Sequence, residues 1–280
     1  MIFFINVLKS VVLGIVQGAI EWLPVSSTFH MVLLKPFMTM NVFAEAADNE
    51  MFFELFVTFI RIGAVLAVFF MYRIKLDYFK SKQKKRKRQI LEIWIRIIAA
   101  SIPVGIAGIL LEEWFRKTFS NFIYMACISV ILGTCFILLE RGRRRVRITS
   151  VEAIPYRESF ATGVLQTLAL IPGTGRSACV ILGAKLLGFS RMAAVEFSLY
   201  TAIPVVLGAA LVRIIKYHAV ITMSSFFILL CGSVATFIVS LTVIRMFVTY
   251  IRNHDFRIFG LYRIVLGFTV LFMVLVGVLV

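Results

Sequence analysis

Acidic residues are scarce in this chain: 14 Asp and Glu stand against 30 Lys and Arg in 280 residues. Polar residues of every kind are too few to cover a soluble domain of this length, because 61% of the residues are hydrophobic and only 16% are charged. There are four cysteines, Cys127, Cys135, Cys179 and Cys231. None forms a CxxC pair and all lie in apolar runs, so they read as small hydrophobes rather than metal ligands or a redox pair. The N-terminus has no basic leader and no clear small-residue cleavage motif, so no removable signal peptide is expected.

What is present is apolar length. Six stretches, roughly 51–72, 90–111, 122–140, 193–213, 222–247 and 259–280, are long enough to cross a hydrocarbon core of about 30 Å. The positive charge is concentrated: residues 73–88 carry nine Lys or Arg and residues 141–147 carry five more. Both runs sit at the ends of apolar segments. They read as cytoplasmic loops beside anionic headgroups rather than as a nucleic-acid surface. The loop from Glu112-Glu113 to Lys117 and the acidic segment with Glu45, Asp48 and Glu50 then fall outside, and the basic stretch Arg252 to Arg263 falls inside.

Two further apolar segments, 1–40 and 157–190, are broken near their middles, at Pro24-Val25-Ser26-Ser27-Thr28 and at Pro172-Gly173-Thr174-Gly175. Proline stops a helix, and broken backbone survives in a membrane only where protein or a cavity surrounds it. Both segments read as re-entrant helical hairpins. Each is followed by three spans, and three is odd, so the second half is inverted relative to the first. The expected fold is an all-α polytopic membrane protein, a single domain over 1–280 with pseudo-repeat halves 1–140 and 157–280. Gly14-Ile15-Val16-Gln17 is echoed by Gly163-Val164-Leu165-Gln166. Broken helices that meet between inverted halves are a common layout for membrane binding sites.

The first hairpin carries Gln17, Glu21, Ser26, Ser27, Thr28 and His30. Gln17 and Glu21 are four residues apart and share a helix face. A carboxylate inside a membrane is costly and reads as functional by default. The second hairpin carries Pro172-Gly173-Thr174-Gly175-Arg176-Ser177. Its glycines permit a tight turn, the following helix begins with free N–H groups, and Arg176 offers a planar fork to phosphate oxygens. Carboxylate, hydroxyls, histidine, arginine and anion cradle together suit phosphoryl transfer on a substrate with a lipid tail.

The stretch Gln17-Gly18-Ala19-Ile20-Glu21-Trp22-Leu23-Pro24-Val25-Ser26-Ser27-Thr28-Phe29-His30 resembles the first signature of the undecaprenyl pyrophosphate phosphatases, the bacitracin-resistance family. Pro172 to Ser177 resembles their second. Similarity continues through Glu196-Phe197-Ser198, Pro204 and Tyr262-Arg263, in order over essentially the whole chain. The resemblance implies a bacterial cytoplasmic-membrane enzyme that converts undecaprenyl pyrophosphate to the monophosphate and so recycles the carrier for cell-wall synthesis. It implies a divalent cation, Mg²⁺ or Ca²⁺, an active site towards the outer face, and roles for Glu21, Ser27, His30 and Arg176. Gln17 stands where some members have a second glutamate.

On this basis Arg176 and the segment Gly173, Thr174, Gly175 and Ser177 are expected to grip the pyrophosphate, with Ser26 and Thr28 nearby. Glu21, with Gln17, holds the cation. Ser27 attacks with His30 as base; alternatively His30 is the nucleophile, or Glu21 or His30 activates water. Rival readings are a phosphorylated-lipid flippase or transporter, and a catalytically altered relative. The oligomeric state is open, a homodimer included. The chain departs from the family pattern at Phe29 (glycine expected), Gly175 (serine), Ala178 (glycine) and Arg61 (glutamine). Phe29 reads as a tolerated departure that glycine could replace without loss. Arg61, inside a span, is expected either to pair with Glu54 or Glu196, or to face the site as a second positive charge.

Overall fold

The computed structural model describes residues 2–77, 83–142, 145–217 and 221–279. Lys80 and Lys82 of the first basic run and Arg143 and Arg144 of the second lie outside the described residues. The described chain is helical, and its only β-type pairing is one isolated bridge between Ile148 and Phe189. Ten α-helices follow in order: α1 Ile2–Ile20, α2 Ser27–Leu34, α3 Ala46–Leu76, α4 Lys84–Phe119, α5 Phe122–Arg141, α6 Tyr156–Gln166, α7 Arg176–Leu186, α8 Arg191–Lys216, α9 Met223–Asn253 and α10 Arg257–Leu275. Hydroxyl and amide side chains start several of them. Asn121 accepts from Ile123 N, Ser190 from Ala193 N and Thr222 from Ser225 N, each satisfying an N–H that the helix itself cannot.

The six expected spans are α3, α4, α5, α8, α9 and α10. Seven described helices, α1 included, are long and apolar enough to cross a membrane, so the chain is a multi-pass membrane protein. The seventh arises because the first hairpin is unequal: its break comes at Glu21–Ser26, after a 19-residue arm, and only 8 residues return in α2. It is a hairpin nonetheless. Asn6 donates to Asn41 O at 2.9 Å and Lys9 to Thr39 O at 2.7 Å, so the chain after α2 lies back beside the start of α1. In the second hairpin Arg147 N and Ile148 N both donate to Gly188 O, and Ser190 N to Ile148 O, which brings the end of α7 back to the chain ahead of α6.

The helix pairings repeat when the halves are exchanged. α1 packs on α9 as α6 packs on α4, α3 packs on α9 as α8 packs on α4, and α5–α10 and α3–α8 pair across the centre. The backbone approaches repeat too. A Cβ on Gly14 would stand 2.4 Å from Gly232 O, and one on Gly163 would stand 2.3 Å from Ala100 O. The echoed glycines therefore do the same task in each half: they let two helices touch backbone to backbone. Where α5 meets α10, Gly133 and Gly260 face each other reciprocally: a Cβ on either would stand 2.6 Å from the other's carbonyl oxygen.

Ion pairs mark the two ends of the bundle. Lys75–Glu196 and Arg191–Glu140 tie one end, next to the basic runs. Glu54 is held at the other by Arg116 and Arg213. Phe29 is a departure with a structural cause. It is fully buried with Met125, Ala126, Val270 and Leu279, where it anchors the short helix α2 to α5 and α10. Glycine there would leave a void, which overturns the expectation that the ring is dispensable.

Candidate active site

Both broken segments end in a helix start, and these two starts touch. Ser26 caps α2 in the left-handed region, with φ 70°, and its hydroxyl accepts from Phe29 N. Gly175 precedes α7 with φ +83°, and a Cβ on it would lie 2.8 Å from Ser26 Cα. Gly173, with φ +96°, is pressed as closely on Met125. Only glycine permits such turns at such separations. Two helix N-termini, with their free N–H groups, are thereby brought to one place inside the bundle.

Glu21 lies at the centre of the polar contacts and is 6% exposed. Its Oε2 accepts from Gln17 Nε2 at 2.6 Å and from the Ser27 hydroxyl at 2.8 Å. Its Oε1 is 3.8 Å from Arg176 Nη2. Arg176 also donates to Ser198 O at 2.8 Å and lies over the Trp22 ring. Its Nε and Nη2 are buried without a hydrogen-bond partner. Arg61 falls to neither Glu54 nor Glu196. Glu54 is held by two arginines and Glu196 by Lys75, while Arg61 donates to Thr28 Oγ1 at 3.0 Å.

His30 is separate from the Ser27–Glu21 couple. Its Nδ1 is 2.8 Å from Ser26 O and its Nε2 is 2.6 Å from the Tyr262 hydroxyl, the two rings lying parallel. A carbonyl oxygen only accepts, so Nδ1 carries the proton; in the neutral ring Tyr262 donates to Nε2. The expected pairing of Ser27 with His30 as its base gives way to Ser27 on Glu21, because the α2 turn points the serine back at α1. Thr174 and Ser177 also differ from expectation. The Thr174 hydroxyl donates to Ile171 O and Leu168 O, and that of Ser177 to Leu23 O, so both stitch backbone rather than present a free group.

Two residues that the sequence showed only as part of the resemblance, with no role, belong to the site. Tyr262 is one, through its bond to His30. Arg263 is the other. Counted with a basic loop, it is instead fully buried and donates to Pro24 O, Thr174 O and Gly173 O, clamping the two hairpin tips together. Its signal was visible, since an arginine flanked by apolar residues in a span needs partners. The donors for a cation are few. Among the described residues no group of three or more His, Cys, Asp or Glu could hold a metal. Gln17 Oε1, however, is a buried oxygen without a partner beside Glu21. One carboxylate and one amide oxygen fit a Mg²⁺ or Ca²⁺ ion that draws its other ligands from phosphate and water.

The described site is thus three arginines, Arg61, Arg176 and Arg263, around one carboxylate–hydroxyl couple. The chain that carries this site matches a known family along its length. Residues 10–269 match the family model described as bacitracin resistance protein BacA. The chain is 40% identical to the undecaprenyl-diphosphatase of Streptococcus mutans serotype c, over 99% of both chains. It is 41% identical to undecaprenyl-diphosphatase 1 of Clostridioides difficile, over 95% of this chain and 96% of the other. It is 40% identical to the undecaprenyl-diphosphatase of Enterococcus faecalis, over 96% and 97%. With two broken helices meeting where both signatures fall, and a match this long, the chain belongs to the bacitracin resistance protein BacA family.

Proposed function

We propose that this chain is a membrane phosphatase that hydrolyses undecaprenyl pyrophosphate to the monophosphate, recycling the lipid carrier used in cell-wall synthesis. The relatives carry that activity in their names. The observation that carries the proposal here is the excess of guanidinium over carboxylate inside an apolar bundle. Buried charge of one sign is costly without a counter-charge, and a lipid pyrophosphate brings a compact polyanion on an apolar tail.

Arg176 grips the phosphoryl group with its unused Nε and Nη2 donors. The Ser27 hydroxyl, already donating to Glu21, attacks the terminal phosphorus. Its proton passes to Glu21, the bond from that phosphorus to the bridging oxygen breaks, and the lipid monophosphate leaves. Water then attacks that phosphorus, the bond to Ser27 Oγ breaks to release phosphate, and the proton held on Glu21 returns to Oγ. His30, its Nδ1–H fixed on Ser26 O, takes that water's proton through the Tyr262 hydroxyl, which passes its own proton to Nε2. Glu21 and Gln17 would hold the divalent cation, which supplies charge neutralisation at the phosphate oxygens. The basic runs at one end of the bundle support a bacterial cytoplasmic membrane setting with that end inside, and the first hairpin opening outward supports an outer-facing site.

The test is phosphate release from a polyprenyl pyrophosphate by the purified protein in detergent. One phosphate per lipid is expected, abolished by a chelator and restored by Mg²⁺ or Ca²⁺. Lipid binding without release would overturn the reading in favour of a phosphorylated-lipid carrier. Release that is indifferent to the chelator would remove the cation from it.

A further inference from the structure

Arg61 is the charge that the Ser27–Glu21–Arg176 arrangement leaves unused. It stands midway along α3, and among the described residues it forms no ion pair with an acidic side chain. Glu54 is committed to Arg116 and Arg213, Glu196 to Lys75, and Glu21 to Gln17, Ser27 and Arg176. Its contact is the Thr28 hydroxyl, while its Nε is buried with no acceptor. A buried guanidinium donor without an acceptor, on a side chain with no acidic partner, is relieved by an anion beside it.

The order across the site is fixed by the bonds. Arg176 lies against Glu21, Glu21 accepts from Ser27, and Thr28, next along α2, accepts from Arg61. The nucleophile-bearing turn therefore lies between two arginines that come from different helices, α7 and α3. A monophosphate on Arg176 satisfies one of them. A diphosphate has a second phosphoryl group to place on the other.

We propose that Arg61 and Thr28 form a second phosphate subsite, and that this subsite makes the chain select a diphosphate over a monophosphate. The inference rests on the phosphatase reading for the substrate's class, but it concerns binding and is testable without turnover. In the reaction, Arg176 takes one phosphoryl group of the pyrophosphate and Arg61 the other, with Thr28 holding the Arg61 fork in place. After cleavage the second subsite keeps only a monoester, so the grip that selected the substrate is halved for the product.

The experiment is calorimetric titration of the purified protein in detergent with two probes, methylenediphosphonate, which has no cleavable P–O–P bridge, and inorganic phosphate. The wild-type chain and the variants Arg61→Gln and Thr28→Val are compared. Arg61→Gln is expected to weaken methylenediphosphonate by about tenfold or more, the worth of a charge-assisted hydrogen bond. Phosphate affinity, set at Arg176, is expected to stay within about twofold on the same reasoning. Thr28→Val should move the same way by a smaller factor. Equal weakening of both probes, or no change in either, overturns the proposal. Should Arg61→Gln fail to fold, Arg61→Lys keeps the charge and loses the fork. A fall in the ratio of the two affinities then supports the subsite, and an unchanged ratio overturns it. Because neither probe is hydrolysed, failure here is distinct from failure of the wild-type chain to release phosphate.

Discussion

The two hairpins occupy corresponding places but are not chemically equal. Gln17 and Gln166 hold the same position in the echo and both are fully buried. Gln17 donates to Glu21, whereas both amide atoms of Gln166 are without a partner, and Leu170 stands where a counterpart of Glu21 would be. The first hairpin carries the carboxylate and the hydroxyl. The second carries glycines and an arginine. Under the proposed mechanism, one architecture used twice carries the proton transfer on its first copy and the Arg176 grip on its second.

The hairpins also differ in how they are anchored, and this is where the largest effect is expected. The first depends on a side chain, Phe29, in an apolar cluster; the second depends on backbone pressed against Met125 and Ser26. Phe29→Gly should therefore destabilise the protein by about 3–5 kcal/mol from the void alone. Thermal unfolding in detergent measures it, and an unchanged midpoint would show that α2 is held by something else. Arg176→Lys acts on the second hairpin. Lysine keeps the charge but reaches neither Ser198 O together with Glu21 nor two phosphate oxygens. The expected fall in kcat/KM is roughly 100-fold, about 2.7 kcal/mol, with the fold intact by circular dichroism. Near-normal turnover would remove Arg176 from the phosphate grip.

The sequence made the spans and both breaks legible because apolar length and proline are local signals. It also pointed to Glu21, since a membrane carboxylate is conspicuous. The unequal arms of the first hairpin were harder to see. A largely apolar stretch from Ile2 to Ile20 does not tell whether it crosses or turns, and the bonds from Asn6 to Asn41 and Lys9 to Thr39 that settle the return are non-local. Side-chain pairings were the least legible. Ser27 and His30, three residues apart on one helix, suggested a couple, but the left-handed turn at Ser26 sends Ser27 to Glu21 and leaves His30 to Tyr262, more than two hundred residues away. Arg263 looked like loop charge because basic residues precede it. Its partners are three carbonyls in two distant turns, which no spacing rule connects.

The most direct test of the division of labour is the turnover number for phosphate release by Glu21→Gln and Gln166→Leu, measured beside the wild-type chain at saturating polyprenyl pyrophosphate. Glutamine at position 21 keeps the shape but accepts no proton, so a loss of about 100-fold or more is expected, the usual scale for a general base. Leucine at 166 removes two unpaired polar atoms and should leave the rate within about twofold and the melting temperature no lower. Comparable losses in both variants, or near-normal turnover in Glu21→Gln, would contradict the assignment of the chemistry to the first hairpin.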